Sequence, residues 1–359
     1  LSDDIYRFIW DGSLWHAGEN AYALLPQEAL GKSQVLNQDL FNSLNSPEYY
    51  TIYPPFAQLI FWISSFQFWG SWTMMTIVMK LFMLAAEIGS IFLIINILKK
   101  LSLPKSSVLI YALNPLILIE IMGNLHFEGF MIFFILLFFH YVLKYNIRAS
   151  AAAFSLSIGS KLLPLMFFPF FFRLLNQKMK THFFFRSFII LFCLFIPIFL
   201  GFSQIANFGQ SLDLYFRKFE FNGGLYYFLR YIGQLISGYN LIWYLGPGLA
   251  LIALFLIFRL AKKIPEQRLD LFPKYALFAF TIYLLSATTV HPWYLCLPVA
   301  FCVFTRFRYP ILWSGLIFLT YINYSYDPYW ENLWVVGIEY AVLGCFMVWE
   351  WRDTVPEAS

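Results

Sequence analysis

The chain has 359 residues, of which 60% are hydrophobic, 22% aromatic and only 12% charged, with a formal net charge of +4; its mean hydropathy is +0.66. These values exclude a soluble globular domain. The basic residues are scattered through short loops between apolar runs, which excludes a nucleic-acid-binding surface. Apolar windows of membrane-crossing length recur from about residue 72 onward, the pattern of an all-α, polytopic transmembrane helix bundle. Cys193, Cys296, Cys302 and Cys345 all lie inside apolar segments, without zinc-type spacing or a loop setting for a disulfide, and are assigned to core packing.

Residues 1–54 form the one long polar segment, with seven acidic residues (Asp3, Asp4, Asp11, Glu19, Glu28, Asp39, Glu48) against Arg7 and Lys32. The chain opens on Leu1 and directly on polar sequence, so an N-terminal truncation is expected, with a membrane helix just upstream. From Asp3 to Gly18 the spacing of Ile5, Phe8, Ile9, Leu14 and Trp15 predicts an amphipathic helix able to lie on a bilayer surface. Tyr53-Pro54-Pro55 turns the chain, and residues 56–70 read as interfacial.

Eleven apolar windows follow, at 72–98, 106–122, 130–144, 149–160, 162–175, 183–203, 239–258, 271–289, 292–304, 309–323 and 333–350. Several are shorter than the roughly 20 residues of a perpendicular span, so 149–160/162–175 and 271–289/292–304 are expected to be broken or partly inserted helices. The expected organisation is an outer segment 1–71, a bundle of about eleven spans over 72–352 and a cytoplasmic tail 353–359. Alternating the windows from an outside start gathers Lys99, Lys100, Lys105, Lys144, Arg148, Arg173, Lys178, Lys180, Arg186, Arg259, Lys262, Lys263, Arg268, Arg306 and Arg308 on one side, which the positive-inside rule makes cytoplasmic. The acidic segment 1–54, residues 123–129, a 204–224 loop, residues 289–292 and residues 323–332 fall on the other side.

Charged groups at the rim of a membrane bundle are functional candidates by default. An acidic side chain just outside the bilayer could act as general base toward a hydroxyl. Asp3 and Asp4 diverge by about 100° on a helix, so one would be the base and the other would orient a neighbour or the substrate. Asp11 lies two turns from Asp4 on the same face. In Gly123-Asn124-Leu125-His126-Phe127-Glu128-Gly129 a short outer loop presents His126 and Glu128, or serves only as a polar helix connection. Lys161 stands between two short apolar runs and either snorkels or binds an anion, and Arg230 has the same two readings. His291, at an expected helix break before Pro292, could donate to a phosphate oxygen or be structural. Lys80 and Glu87 share a helix face and read as structural. GxGxxG after a strand, GxxxxGK[ST] and HExxH are all missing, as is a dense His/Cys/Asp metal cluster.

The run Asp3-Asp4-Ile5-Tyr6-Arg7-Phe8-Ile9-Trp10-Asp11-Gly12, followed by Gly18-Glu19-Asn20-Ala21-Tyr22, resembles the first extracytoplasmic loop of the GT-C superfamily of integral-membrane glycosyltransferases. It is most similar to the bacterial polyprenyl-phosphate-mannose-dependent mannosyltransferases and the first GPI-anchor mannosyltransferase. Tyr53-Pro54-Pro55, Asn114-Pro115-Leu116, the 123–129 segment, Lys161 with Pro164, and His291-Pro292-Trp293-Tyr294 look like further landmarks, so the resemblance covers about residues 2–295. It departs at the acidic pair, adjacent here where the GPI enzyme has Asp-x-Asp, and at Ala21, where proline is usual. The resemblance implies a GT-C-like bundle whose long first outer loop carries interfacial helices and a catalytic aspartate, Asp3 or Asp4. Arg7, Asp11, His126, Glu128, Lys161, Arg230 and His291 are the expected substrate and donor-phosphate contacts.

It also implies a bacterial inner-membrane protein whose catalytic face is extracytoplasmic. Mannose would pass with inversion from a polyprenyl-phosphate-linked donor to a hydroxyl of a glycan or glycolipid acceptor. Membrane lipids are the other expected partners, and no cofactor is required; a divalent metal is compatible with the carboxylates but not needed. The rival functions are a lipid or solute transporter or flippase, for which no matched halves are visible, and a noncatalytic assembly subunit.

Overall fold

The computed structural model describes residues 2–66, 71–328 and 330–352. Its described residues are mostly helical, with one isolated bridge, Phe221 to Thr289, and no strand. The expected tail 353–359 and the end of the interfacial stretch, 67–70, lie outside the described residues. The chain divides into two compact units, Leu1–Ile97 with Ile119–Leu165 and Asn176–Leu214, and Leu98–Leu118 with Met166–Leu175 and Tyr215–Ser359.

In the first unit the amphipathic run forms α1, Asp4–His16. Asp4 in its first turn suits the positive end of the helix dipole. Gly18, at φ +79°, ends it: Gly18 N–H donates to Trp15 O and Glu19 N–H to Leu14 O, a Schellman closure that needs a left-handed residue. Pro54 and Pro55 start α2, Pro55–Ser64, where a missing N–H is harmless. α1 lies directly on α2 at Gly12, because a Cβ there would come 2.3 Å from Phe61 O. The long apolar helix α3, Trp72–Lys100, faces α4, Glu128–Leu143, where Gly89 meets the Phe133 ring. α5, Ile147–Ser160, packs along α4, and α6, Gln177–Leu194, packs on α5. Asn146 and Asn176 cap α5 and α6 by accepting from Ala149 N and Met179 N.

The 204–224 stretch expected as a loop is largely a helix, α7, Phe202–Arg217. Its polar positions keep it below any span threshold, yet it buries Phe208 and Ser211 as an amphipathic helix. Asn207 donates to Tyr22 O (3.1 Å) and Ser211 to Tyr50 O (2.9 Å), which docks it on the N-terminal segment.

The second unit contains α8, Gly224–Ser237, ended by Gly238 at φ +77°, then α9, Ile242–Lys263, α10, Phe272–Ser286, and α11, Leu333–Arg352. The segment 219–222 runs beside 288–290: Phe221 N donates to Thr288 O, and Val290 N to Phe221 O.

Among the described residues, four helices are long and apolar enough to cross a membrane: Trp72–Lys100, Ile242–Lys263, Leu269–Ser286 and Leu333–Arg352. Lys105–Ala112 and Ile117–Gly123 qualify only when taken together across their break at Asn114-Pro115. Other windows are short helices, among them Glu128–Leu143, Leu163–Leu174 and Pro292–Cys302. The two expected interruptions are present, one where Lys161 leaves α5 in extended conformation and one between Ser286 and Pro292. Such breaks are tolerated at membrane depth where protein surrounds the freed backbone groups.

Candidate active site

The site in the first unit is built on a rigid α1. Arg7 and Asp11, four residues apart and so on one face, form a buried ion pair, Nε to Oδ1 at 2.8 Å, with side chains 3% and 0% exposed. Arg7 Nη1 also donates to Ser46 O (3.0 Å) and Tyr49 O (2.8 Å). The other oxygen of Asp11 accepts from Thr51 and from Gln58 Nε2 (2.8 Å), and Gln58 Oε1 accepts from Trp15 Nε1 (2.9 Å). Thus the pair staples α1, α2 and the intervening loop together.

A second clamp is aromatic. Phe8 stacks on Phe61 at 4.5 Å, and both rings meet Phe127 edge-on at 5.3 and 4.9 Å. Asp4 is one helical turn before Phe8, and His126 is the neighbour of Phe127. The clamp therefore brings these two polar residues together. Asp4 Oδ2 lies 3.8 Å from His126 Nδ1, while Asp4 Oδ1 accepts from Asn45 Nδ2 at 2.7 Å. On the far side of the ring, Nε2 is 3.2 Å from Oε2 of Glu120, a fully buried carboxyl whose same oxygen accepts from Asn124 Nδ2 (3.2 Å). Asp4 keeps 21% of its side chain exposed, and His126 only 3%. Asp3, at the N-cap, is exposed, and its side chain caps no backbone N–H.

The ring is aimed by unusual backbone. Ile117–Gly123 is a π-helical turn, a widened coil often found at functional sites. Leu125 follows in the left-handed region at φ +64°, with its side chain buried. Lys80 of α3 donates to Met122 O and Gly123 O, both at 3.0 Å, and so holds the end of that turn, in keeping with its structural reading. Two residues after His126, Glu128 opens α4 fully buried and forms an ion pair with Lys161 at the end of α5. The lysine side chain retains 22% exposure. Close packing of Gly129, whose Cβ would sit 2.4 Å from Met83 Sδ, fixes Glu128 against α3. Among the described residues no three His, Cys, Asp or Glu side chains gather as a metal site.

Residues 1–177 match the family model described as alpha-(1->6)-mannopyranosyltransferase, N-terminal domain. That match makes the N-terminal 177 residues similar to a mannosyltransferase domain. Neither a curated protein nor a solved structure matches the chain. The matched region spans Asp3, Asp4, Arg7, Asp11, His126, Glu128 and Lys161, together with Glu120, Asn45 and Asn124. Its match supports a mannosyl-transferring glycosyltransferase, and with the apolar helices it points to an integral membrane protein.

Arg230 and His291 lie beyond the matched region, in the second unit. Arg230 pairs with Glu220 and lies 4.4 Å over the Tyr227 ring. His291 stacks between Phe221 (4.9 Å) and Trp293 (4.4 Å). Since Glu220 and Phe221 are adjacent, the 219–222 segment serves both. Around it stands a carboxyl cluster absent from the sequence reading. Glu331 accepts from Asn222 N (2.6 Å) and from Tyr227 OH; Glu339 accepts from Asn222 Nδ2 (3.1 Å) and Trp313 Nε1 (2.8 Å). Burial raises the Glu331 carboxyl above its usual range and raises the Tyr227 hydroxyl further still. A carboxylate in the apolar 333–350 window was the available signal for Glu339. The Asn222-Gly223-Gly224 turn was the signal for its partner.

Proposed function

We propose that the protein is an extracytoplasmic-facing membrane mannosyltransferase that moves mannose, with inversion, from a polyprenyl-phosphate donor to a glycan or glycolipid hydroxyl. The observation that carries this reading is Asp4: within the region similar to a mannosyltransferase domain, it is a part-exposed carboxylate oriented by Asn45 and turned toward His126.

Asp4 is the general base. It is within reach of solvent, and the 3.8 Å separation from His126 is too long for a hydrogen bond, so Oδ2 is available to an incoming hydroxyl. As the acceptor oxygen bonds to the anomeric carbon, the carbon–oxygen bond to phosphate breaks and its electron pair leaves with the lipid phosphate. That leaving group needs no strong acid, only cations. Lys161 is the candidate in the matched N-terminal region. Arg7 and Asp11, bonded to each other and, through Arg7 Nη1, to the loop, act as the frame that holds Asp4 rather than as donor contacts. His126 has a carboxyl on each side, a poor setting for a phosphate, and is assigned to the base instead. Asp3 remains the accessory carboxylate. The acidic segment lies on the side opposite the basic loops, where sugars arrive on lipids rather than on nucleotides.

The test is to reconstitute the purified protein in vesicles with radiolabelled polyprenyl-phosphate mannose and octyl α-mannoside as probe acceptor. Labelled disaccharide is the expected product. Label accumulating inside the vesicles without a new glycosidic bond would instead indicate a transporter.

A further inference from the structure

Glu120 appears in no sequence motif considered above, yet it is fully buried and its carboxyl sits 3.2 Å from His126 Nε2. We infer that Glu120 is a positioning residue that fixes His126 as the acceptor of the proton Asp4 removes from the substrate hydroxyl. This rests on Asp4 being the base of the proposed transfer.

The two ring nitrogens have different tasks, and the hydrogen bond at one decides the state of the other. With its proton drawn to Nε2 by the Glu120 carboxylate 3.2 Å away, the neutral ring turns the Nδ1 lone pair toward Asp4. Asn124 holds Glu120 from one side. Lys80, through the carbonyls of Met122 and Gly123, holds the turn that carries Glu120. Left-handed Leu125 and the Phe8–Phe127 contact hold the ring from below. The proton of the acceptor O–H passes to Asp4 Oδ2 while the oxygen lone pair forms the bond to the anomeric carbon. The phosphate departs with the electrons of the broken bond. The proton then passes from Asp4 to His126 Nδ1, and the Glu120 carboxylate balances the imidazolium until it is lost to water. The 3.8 Å between Asp4 and His126 must tighten by under about 1 Å for this step, an ordinary change between free and loaded enzymes.

Other charged groups near the ring do not fill this role. Glu128 is tied to Lys161 by one oxygen, Lys80 is committed to backbone carbonyls, and Asp3 lies exposed at the tip of α1.

The experiment compares the full chain with Glu120→Gln, Glu120→Asp, His126→Ala and Asp4→Asn, using polyprenyl-phosphate mannose and octyl α-mannoside, with melting temperatures measured alongside. Glu120→Gln should lower kcat on the order of 10²-fold with both KM values unchanged. It should also enlarge the solvent deuterium isotope effect, and Glu120→Asp should recover part of the rate. Added imidazole should raise the turnover of His126→Ala, but not when Glu120→Gln is combined with it. Wild-type kcat in Glu120→Gln, or imidazole rescue indifferent to Glu120, overturns the inference even if Asp4→Asn is inactive. Full activity in Asp4→Asn instead removes the base assignment beneath it.

Discussion

Asp4 and His126, 122 positions apart in the chain, face each other at 3.8 Å because Phe8 and Phe127, each one turn or one residue away, are in ring contact at 5.3 Å. Apolar packing thus sets the polar geometry. Two side chains with no local reason to meet are brought together by a clamp that costs the site none of its hydrogen-bonding capacity.

The frame below Asp4 should fail through its charges. Arg7→Met leaves Asp11 as an unpaired buried carboxylate, expected to cost about 3–5 kcal/mol. Arg7→Met combined with Asp11→Leu removes both charges and should recover much of that loss, because an apolar pair needs no compensation. Thermal melting of the three proteins checks this. A double variant no more stable than Arg7→Met would show that the carbonyl contacts of Arg7, rather than its charge pair, hold the loop.

Lys161 should act on the donor alone. Lys161→Met combined with Glu128→Leu avoids leaving the buried carboxylate unpaired. The double variant should raise the KM for polyprenyl-phosphate mannose on the order of tenfold, the scale of one charge-assisted contact. The KM for octyl α-mannoside should stay in place. Steady-state kinetics with each substrate varied in turn make the measurement; an effect confined to the acceptor would assign Lys161 to the other subsite.

The second unit carries a pH signature. Burial lifts the folded-state Glu331 carboxyl above its ordinary value of 4.5. The folded protein therefore keeps this proton where the unfolded chain has released it. The associated stability is present below about pH 4.5 and declines as pH rises through the folded value. Glu331→Gln mimics the protonated form and accepts the Tyr227 hydroxyl through its amide oxygen. Its melting temperature relative to wild type should rise between acidic and neutral pH. A difference that shrinks over that range would contradict the burial effect.

Much of α1 was legible in the sequence. Ile5, Phe8, Ile9 and Leu14 recur at helical spacing and are buried, and Asp3, Asp4, Arg7 and Asp11 stand out against an apolar background. The division of labour among them was not legible, since spacing places Asp4 and Asp11 on one face without revealing that Arg7 and Thr51 bury Asp11. Glu120 stayed hidden inside the 106–122 window because a single carboxyl barely lowers the hydropathy of a span. Nothing local signals that the turn after Asn114-Pro115 widens to a π-helix. The 202–217 helix was hidden for the converse reason, being too polar to read as a span. Glu331 and Glu339 depend on Asn222, more than 100 residues away, a pairing that only the folded chain supplies.

The central claim is that Asp4 takes the proton during mannosyl transfer, and single-turnover transfer by Asp4→Asn and Asp3→Asn beside wild type tests it most directly. Both proteins should keep the wild-type melting temperature and bind polyprenyl-phosphate mannose. Asp4→Asn should lose on the order of 10²–10⁴ in the rate of disaccharide formation, the range for a general base, while Asp3→Asn keeps most of it. Full activity in folded Asp4→Asn, or the loss falling on Asp3→Asn alone, would contradict the account.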